Sequence, residues 1–231
     1  MVTILLPVHN DEKYINFTLE SLLSQTYKEY KCIIGFNGTI DKSKEIVESC
    51  VGADQRFIIK DFGDSKGKSA TLNKLLDAVE SDYICLIDGD DMWHEKKLES
   101  QIKIRESADV IGTLASYINE NNQKFHNLLL SQHDTDIKKG FVHGHNQIVN
   151  SSCFLKTSDA KEIKGWDQSV DGLEDFDFWL KLFKLGKKFF NIQDYLVYHR
   201  IHPNSNFNAR KLMYTVSDIL NKNKIDAYTI I

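Results

Sequence analysis

Asp88-Gly89-Asp90-Asp91 packs three carboxylates into four residues, directly after the apolar run Tyr83 to Ile87. Acids this close repel one another, so a carboxyl pKa rises unless a cation sits among them. A hard divalent ion suits oxygen ligands, and Mg2+ typically completes its shell with substrate phosphates. The alternative is a solvated acidic turn or a helix cap. Asp134-Thr135-Asp136 and Asp175-Phe176-Asp177 repeat the same acidic spacing. Only the first set ends a hydrophobic strand, and that position favours metal-diphosphate binding. Glu174-Asp175 is the second signal. Carboxylates at a helix start pair with its dipole, and taken alone the pair reads as a cap. An acid facing the metal site would instead be a candidate general base. Lys66-Gly67-Lys68-Ser69 fails as a P-loop, because three residues rather than four separate Gly63 from Gly67. Either lysine could meet a phosphate, with a solvated loop the stronger reading. His143-Gly144-His145 and His199-x-x-His202 have metal-ligand chemistry, but no cysteine pair or H-E-x-x-H frames a zinc site. Trp93 and Trp166 adjoin the acidic motifs and could stack on a sugar ring or belong to the core.

The elements that must position these residues alternate regularly in the first half. Val2 to Val8, Lys31 to Phe36, Arg56 to Ile59 and Tyr83 to Ile87 read as strands. Helices follow around Ile15 to Leu23, Ser43 to Cys50, Leu72 to Val79, and Leu98 to Ile102. This order predicts parallel crossover units. In such sheets ligands bind beyond the carboxyl ends of the strands, so His9-Asn10, Asn37-Gly38 and Asp88 to Asp91 should converge on one crevice. The second half is less regular. Val110 to Tyr117 and Ser151 to Lys156 are expected as strands, Asn119 to Asn122 as a turn, and residues 131 to 150 as a long functional or mobile loop. A helix from Phe176 to Leu185 stops at Gly186. Short strands at Phe189 to Ile192 and Leu196 to Ile201 and a helix at Ala209 to Asn221 complete the chain.

The 231 residues are 42% hydrophobic and 27% charged, the balance of a folded globular chain. No apolar run reaches the ~20 residues that cross a bilayer. The first residues lack a basic leader and a cleavage site, so no signal peptide is expected. A net charge of −4 and no basic, aromatic-interleaved stretch argue against nucleic acid as a partner. Cys32, Cys50, Cys85 and Cys153 are scattered and expected to be reduced, in keeping with a cytoplasmic protein. With no repeat and no Pro/Gly-rich linker, a single domain over 1–231 is expected.

Taken together, the motifs resemble those of family-2 glycosyltransferases with a GT-A fold, over most of residues 2 to 203. Val2 to Asn10 resembles the opening strand and Pro-x-x-Asn turn, and Leu19 to Tyr27 the first-helix signature. Leu72-Asn73 matches the helix after the third strand. Asp88 to Trp93, with Leu98 at the usual distance, resembles the D-x-D-D block. Gly165-Trp166-Asp167 and Glu174 to Trp179 resemble the G-x-D and E-D segments, and Tyr198 to His202 the closing Tyr-x-Arg-x-His stretch. Phe36 departs from the family, whose second strand usually ends in an acid.

The resemblance implies an α/β fold, a Rossmann-like mixed sheet with mainly parallel N-terminal crossover units and a less regular acceptor-side half. Residues 1–105 would bind a nucleotide-diphospho-sugar, 106–208 the acceptor, and 209–231 would hold the C-terminal helix. It implies an inverting transferase using Mg2+ or Mn2+, with a UDP-sugar favoured and a glycan or lipid-linked acceptor. Asp175 would be the base. Asp90 and His202 would hold the metal. Pro7, Val8, Asn10, Asn37, Lys68, Asn73, Asp88 and Arg200 would face the donor, and Trp93, Trp166 and Glu174 the acceptor side. A lipid-linked acceptor would bring peripheral contact with the inner membrane face. A polyprenyl-phosphate sugar transferase and a catalytically degenerate sugar-nucleotide or glycan-binding module are the competing expectations.

Overall fold

The structure, a computed structural model, describes residues 1–63, 67–170, 172–203 and 214–226. The first half runs β1 (Val2–Val8), α1 (Ile15–Leu23), β2 (Tyr30–Phe36), α2 (Ser43–Val51), β3 (Phe57–Asp61), α3 (Lys68–Asp77), β4 (Tyr83–Leu86), β5 (Met92–Trp93) and α4 (Lys97–Lys103). The second half runs β6 (Val110–Ile118), β7 (Lys124–Leu128), α5 (Asp134–Val142), β8 (Phe154–Lys156), α6 (Thr157–Glu162), α7 (Glu174–Lys184), β9 (Phe189–Arg200) and α8 (Val216–Lys222). Among the described residues, one mixed sheet has the order β3-β2-β1-β4-β8-β6-β9-β5, with β7 against β6. The four strands β1 to β4 are mutually parallel, as the alternating apolar runs predict. β8 is antiparallel to β4 and to β6, whereas β9 runs parallel to β6.

Both faces of the parallel half are covered, which is why its strands are apolar almost throughout. Leu5, Ile33, Ile84 and Leu86 pack beneath α3 and α7. Ile4, Leu6, Cys32, Ile34 and Cys85 face the other way, toward Ile15, Leu19 and Leu22 of α1. All four cysteines are free thiols. Phe36, standing where an acid was expected, is buried in this second layer.

The second half corrects several sequence expectations. Residues 134–142 of the expected loop form α5, with Asp134 and Asp136 in its first turn and Ile137 and Phe141 buried. Two apolar residues around a glycine gave too sparse a period to recognise. The expected strand from Ser151 begins instead as a 3-10 turn at Asn150–Ser152. The two expected short strands are one bulged strand, β9. Its pairing with β6 shifts register on both sides of Leu114, so β9 spends three more residues than β6 over the same span. Phe189 accordingly joins the α7 layer and Val197 the α1 layer, although they are eight residues apart. β5 is short, and β7 is largely exposed without apolar alternation, so neither carries a strand signal. α8 starts at Val216, capped by Thr215 and Asp218 in a reciprocal box. The expected residues 209–213 of this helix lie outside the described residues. No helix among the described residues is long and apolar enough to cross a membrane.

Candidate active site

The carboxyl ends of β1, β2 and β4 lie side by side, because Val8 pairs with Phe36 and Leu5 with Leu86. Asn10 takes a left-handed conformation (φ 58°), which Asn tolerates, and its Oδ1 accepts the Ile40 N–H at 2.9 Å. Asn37 donates through Nδ2 to the Gly67 carbonyl at 3.3 Å, and its own carbonyl bonds His9 Nδ1. Val8 is buried and Pro7 partly so. These contacts close the β1 and β2 loops against each other.

Each acid of the turn after β4 has its own basic partner. Asp88 Oδ1 lies 2.5 Å from Lys68 Nζ, whose ammonium is also 4.0 Å from Glu174 Oε1. Burial opposes charge on Lys68, yet Asp88, Glu174 and Asp175 outweigh it and hold the ammonium protonated. Asp90 Oδ2 lies 3.1 Å from His202 Nε2. Asp91 is fully buried and accepts from the Arg200 N–H at 2.9 Å, from the Ser151 hydroxyl at 2.5 Å and from His199 Nδ1 at 3.0 Å. Ser151 Oγ in turn accepts the Asp88 N–H at 3.1 Å. The third acid is thus the internal anchor of the turn, and the first two remain at the crevice.

The uncompensated repulsion falls on a residue that sequence reasoning missed. Burial, then the charges of Asp90, Asp88 and Asp41, push the Asp11 carboxyl up to about 8, opposed by the His9 N–H. A Cβ on Gly89 would collide with Asp11 Oδ2, so any side chain between Asp88 and Asp90 would have to displace the Asp11 carboxyl group.

Across the crevice, α7 begins with Glu174 and Asp175. Glu174 Oε2 accepts the Gly172 N–H at 2.7 Å. Asp175 accepts the Phe176 N–H through Oδ1 at 2.7 Å and Asn146 Nδ2 through Oδ2 at 2.9 Å. Burial and then the Glu174 charge raise its carboxyl to about 6, with Lys68 opposing. Lys68 therefore bridges the acidic turn and the α7 start.

Four expected site residues are placed elsewhere. Trp93 is 2% exposed, donates Nε1–H to the Ser151 carbonyl at 2.7 Å, and has the Lys97 ammonium 3.8 Å from its ring centroid. Trp166 is also 2% exposed and stacks on Phe178 at 4.4 Å. Neither ring offers a face to an acceptor. Asn73 spends its amide on the Trp166 backbone, at 2.8 and 2.9 Å, and so clamps the loop before α7. Arg200 is fully buried, donating to the Asp90 and Asn119 carbonyls at 2.8 Å each, with its guanidinium 4.6 Å from the Tyr14 ring centroid. It braces the acidic turn from behind rather than facing a phosphate. Asn146 and Asn150 fall in the stretch read as a functional or mobile loop, but neither they nor Ser151 were singled out, since polar residues in an irregular stretch carry no local signal.

A mixed sheet with acids directly after β4, joined through Lys68 to the Glu174-Asp175 pair, has the architecture of the GT-A class. Residues 3–161 match the family model described as Glycosyl transferase family 2, and the chain belongs to that family. It is 28% identical over 229 residues to the UDP-Glc:alpha-D-GlcNAc-diphosphoundecaprenol beta-1,3-glucosyltransferase WfaP of Escherichia coli, covering 99% of this chain and 88% of WfaP. Its fold matches S. aureus TarS 1-349, solved in complex with UDP-GlcNAc, with a TM-score of 0.79 at 16% identity. That match covers 96% of this chain and 65% of the TarS chain. It also matches the mannosyltransferase PcManGT from Pyrobaculum calidifontis, solved with GDP-Man and Mn2+. There the TM-score is 0.67 and the identity 13%, over 89% of this chain and 58% of PcManGT.

Proposed function

We propose that this glycosyltransferase moves a sugar from a nucleotide-diphospho-sugar, with UDP-sugars favoured, to a hydroxyl of a glycan or lipid-linked acceptor. The supporting observation is that Lys68 joins the Asp88 turn to Glu174-Asp175, so a donor side and an acid pair face each other across one crevice. The backbone around Val8, Asn10 and Asn37 borders the nucleotide. Lys68 exchanges Asp88 for the donor diphosphate. Asp175 removes the acceptor hydroxyl proton. The acceptor oxygen bonds to the anomeric carbon as the bond from that carbon to the diphosphate oxygen breaks, with inversion. A base raised toward neutrality keeps enough basicity for this task.

Among the described residues, no group of three or more His, Cys, Asp or Glu is disposed to hold a metal alone. The adjoining Asp90 and His202 still fit Mg2+ or Mn2+, because such ions use one or two protein ligands and take the rest from phosphates and water. When bound, the ion neutralises charge on the departing diphosphate. The chain reads as one domain with donor, acceptor and C-terminal parts at 1–105, 106–208 and 209–231. The similarity to WfaP, which acts on a diphosphoundecaprenol-linked sugar, supports a lipid-linked acceptor in surface-polysaccharide synthesis, with peripheral contact at the inner membrane face.

The test is a panel of nucleotide sugars with Mn2+, scored by nucleotide release for the wild type, Asp90→Ala and Asp175→Asn. A general base accounts for roughly 10²–10⁴ in rate. Asp175→Asn is expected to lose at least about 100-fold in turnover while keeping UDP affinity within about threefold. Equal losses in both would make Asp175 a helix cap. Full turnover in Asp175→Asn would point to a phosphate acceptor. Full activity of Asp90→Ala or of chelated enzyme would exclude the metal role.

A further inference from the structure

The segment between α5 and β8 touches acids on both sides of the crevice. Asn146 donates to Asp175, the Asn150 amide faces Asp88 at 3.4 Å, and Ser151 bonds Asp91. The segment is held independently of those acids. Gln147 Oε1 accepts the Ser131 N–H at 3.0 Å, the Gln147 carbonyl accepts Asn191 Nδ2 at 2.8 Å, and Ile148 is fully buried. The orientation of the Asn146 amide follows from its own bonds. Its Oδ1 accepts the Ile148 N–H at 3.1 Å, so the amide nitrogen is the end turned to Asp175. A group that can only donate there selects the accepting, ionised carboxylate and fixes its plane.

We infer that Asn146 is a positioning residue: its side-chain N–H holds the Asp175 carboxylate ionised and in one orientation for proton removal. This rests on the reading of Asp175 as the base. Burial and Glu174 push Asp175 toward its neutral form, and a neutral acid removes no proton. The Lys68 charge opposes that drift, the Asp88 charge adds to it, and two hydrogen-bond donors meet the carboxylate directly. One is the Phe176 N–H of α7 itself, and the other is Asn146, which reaches in from a separate element.

Two substitutions separate positioning from simple turn capping. Asn146→Asp keeps an oxygen to accept the Ile148 N–H but loses the donor, whereas Asn146→Ala loses both. The carbon-13 carboxyl resonance of Asp175, assigned by its absence in Asp175→Asn, is titrated in the wild type and both variants. Its midpoint is expected to rise by about one pH unit in each variant, roughly a tenfold tighter proton. The acidic limb of UDP release from UDP-glucose with Mn2+ should move up with it, while UDP affinity stays within about twofold. A midpoint unchanged within about 0.2 pH unit in both variants overturns the inference. So does a shift in Asn146→Asp alone, which would reflect only the added charge. An active Asp175→Asn with the midpoint shift intact would remove the base reading and leave the Asn146 contact standing. An inactive Asp175→Asn with no shift would do the reverse.

Discussion

Replacing His199 with Gln tests how the acidic turn is held. His199 Nδ1 lies 3.0 Å from Asp91 Oδ2, and its ring sits 5.6 Å from that of Tyr117. Burial disfavours the imidazolium, but the charge and hydrogen bond of Asp91, then Asp90 and Asp88, raise it to about 9. An unfolded histidine titrates near 6.5, and each tenfold change in proton affinity is worth about 1.4 kcal/mol. Because the folded value is the higher one, the stabilisation is complete below pH 6.5 and is lost as pH rises through 9. The pair should contribute about 3 kcal/mol at pH 6 and under about 1 kcal/mol at pH 9. Urea denaturation of wild type and His199→Gln at pH 6, 7, 8 and 9 reads this directly. The stability gap should narrow steadily across the series. A gap that stays constant would mean that His199 acts by packing on Tyr117 and that its charge is irrelevant to the turn.

Gly89→Ala places a methyl group against the Asp11 carboxylate and should cost about 1–3 kcal/mol, with donor binding weakened. Adding Asp11→Ala should recover much of that stability in a double-mutant cycle, whereas strict additivity would show that the two residues do not touch. Arg200→Lys cannot reproduce the planar fork that meets the Asp90 and Asn119 carbonyls. It should lower stability by about 2–4 kcal/mol in urea titration and weaken UDP binding indirectly. A fully stable Arg200→Lys protein with weakened UDP binding would return Arg200 to the donor side.

The parallel strands β1 to β4 were legible because each announces itself as an apolar run and each ends in a polar turn. The parallel course of β1, β2 and β4 brings their polar ends side by side. The roles of individual residues were less legible, because they depend on contacts far away in the chain. Asp91 looks like a third ligand until Arg200, His199 and Ser151 close around it. Trp93 and Trp166 adjoin acids in sequence, yet backbone geometry turns both rings into the core. Asp11 has no neighbour in sequence to mark it, and only the approach of Gly89 reveals its place. α5 was hidden because two buried residues, Ile137 and Phe141, are its whole apolar stripe.

The three surplus residues of β9 set a rule for length variation in this stretch. An odd surplus inverts the side-chain alternation partway along the strand, which is why Phe189 and Val197 stand in opposite layers. Inserting or deleting a single residue between them would hand the place of Arg200 to a neighbour, uncoupling the brace from the acids with every ligand residue still encoded. Indels that preserve parity keep the pairing in phase, so chains of this kind should vary here by twos more readily than by ones.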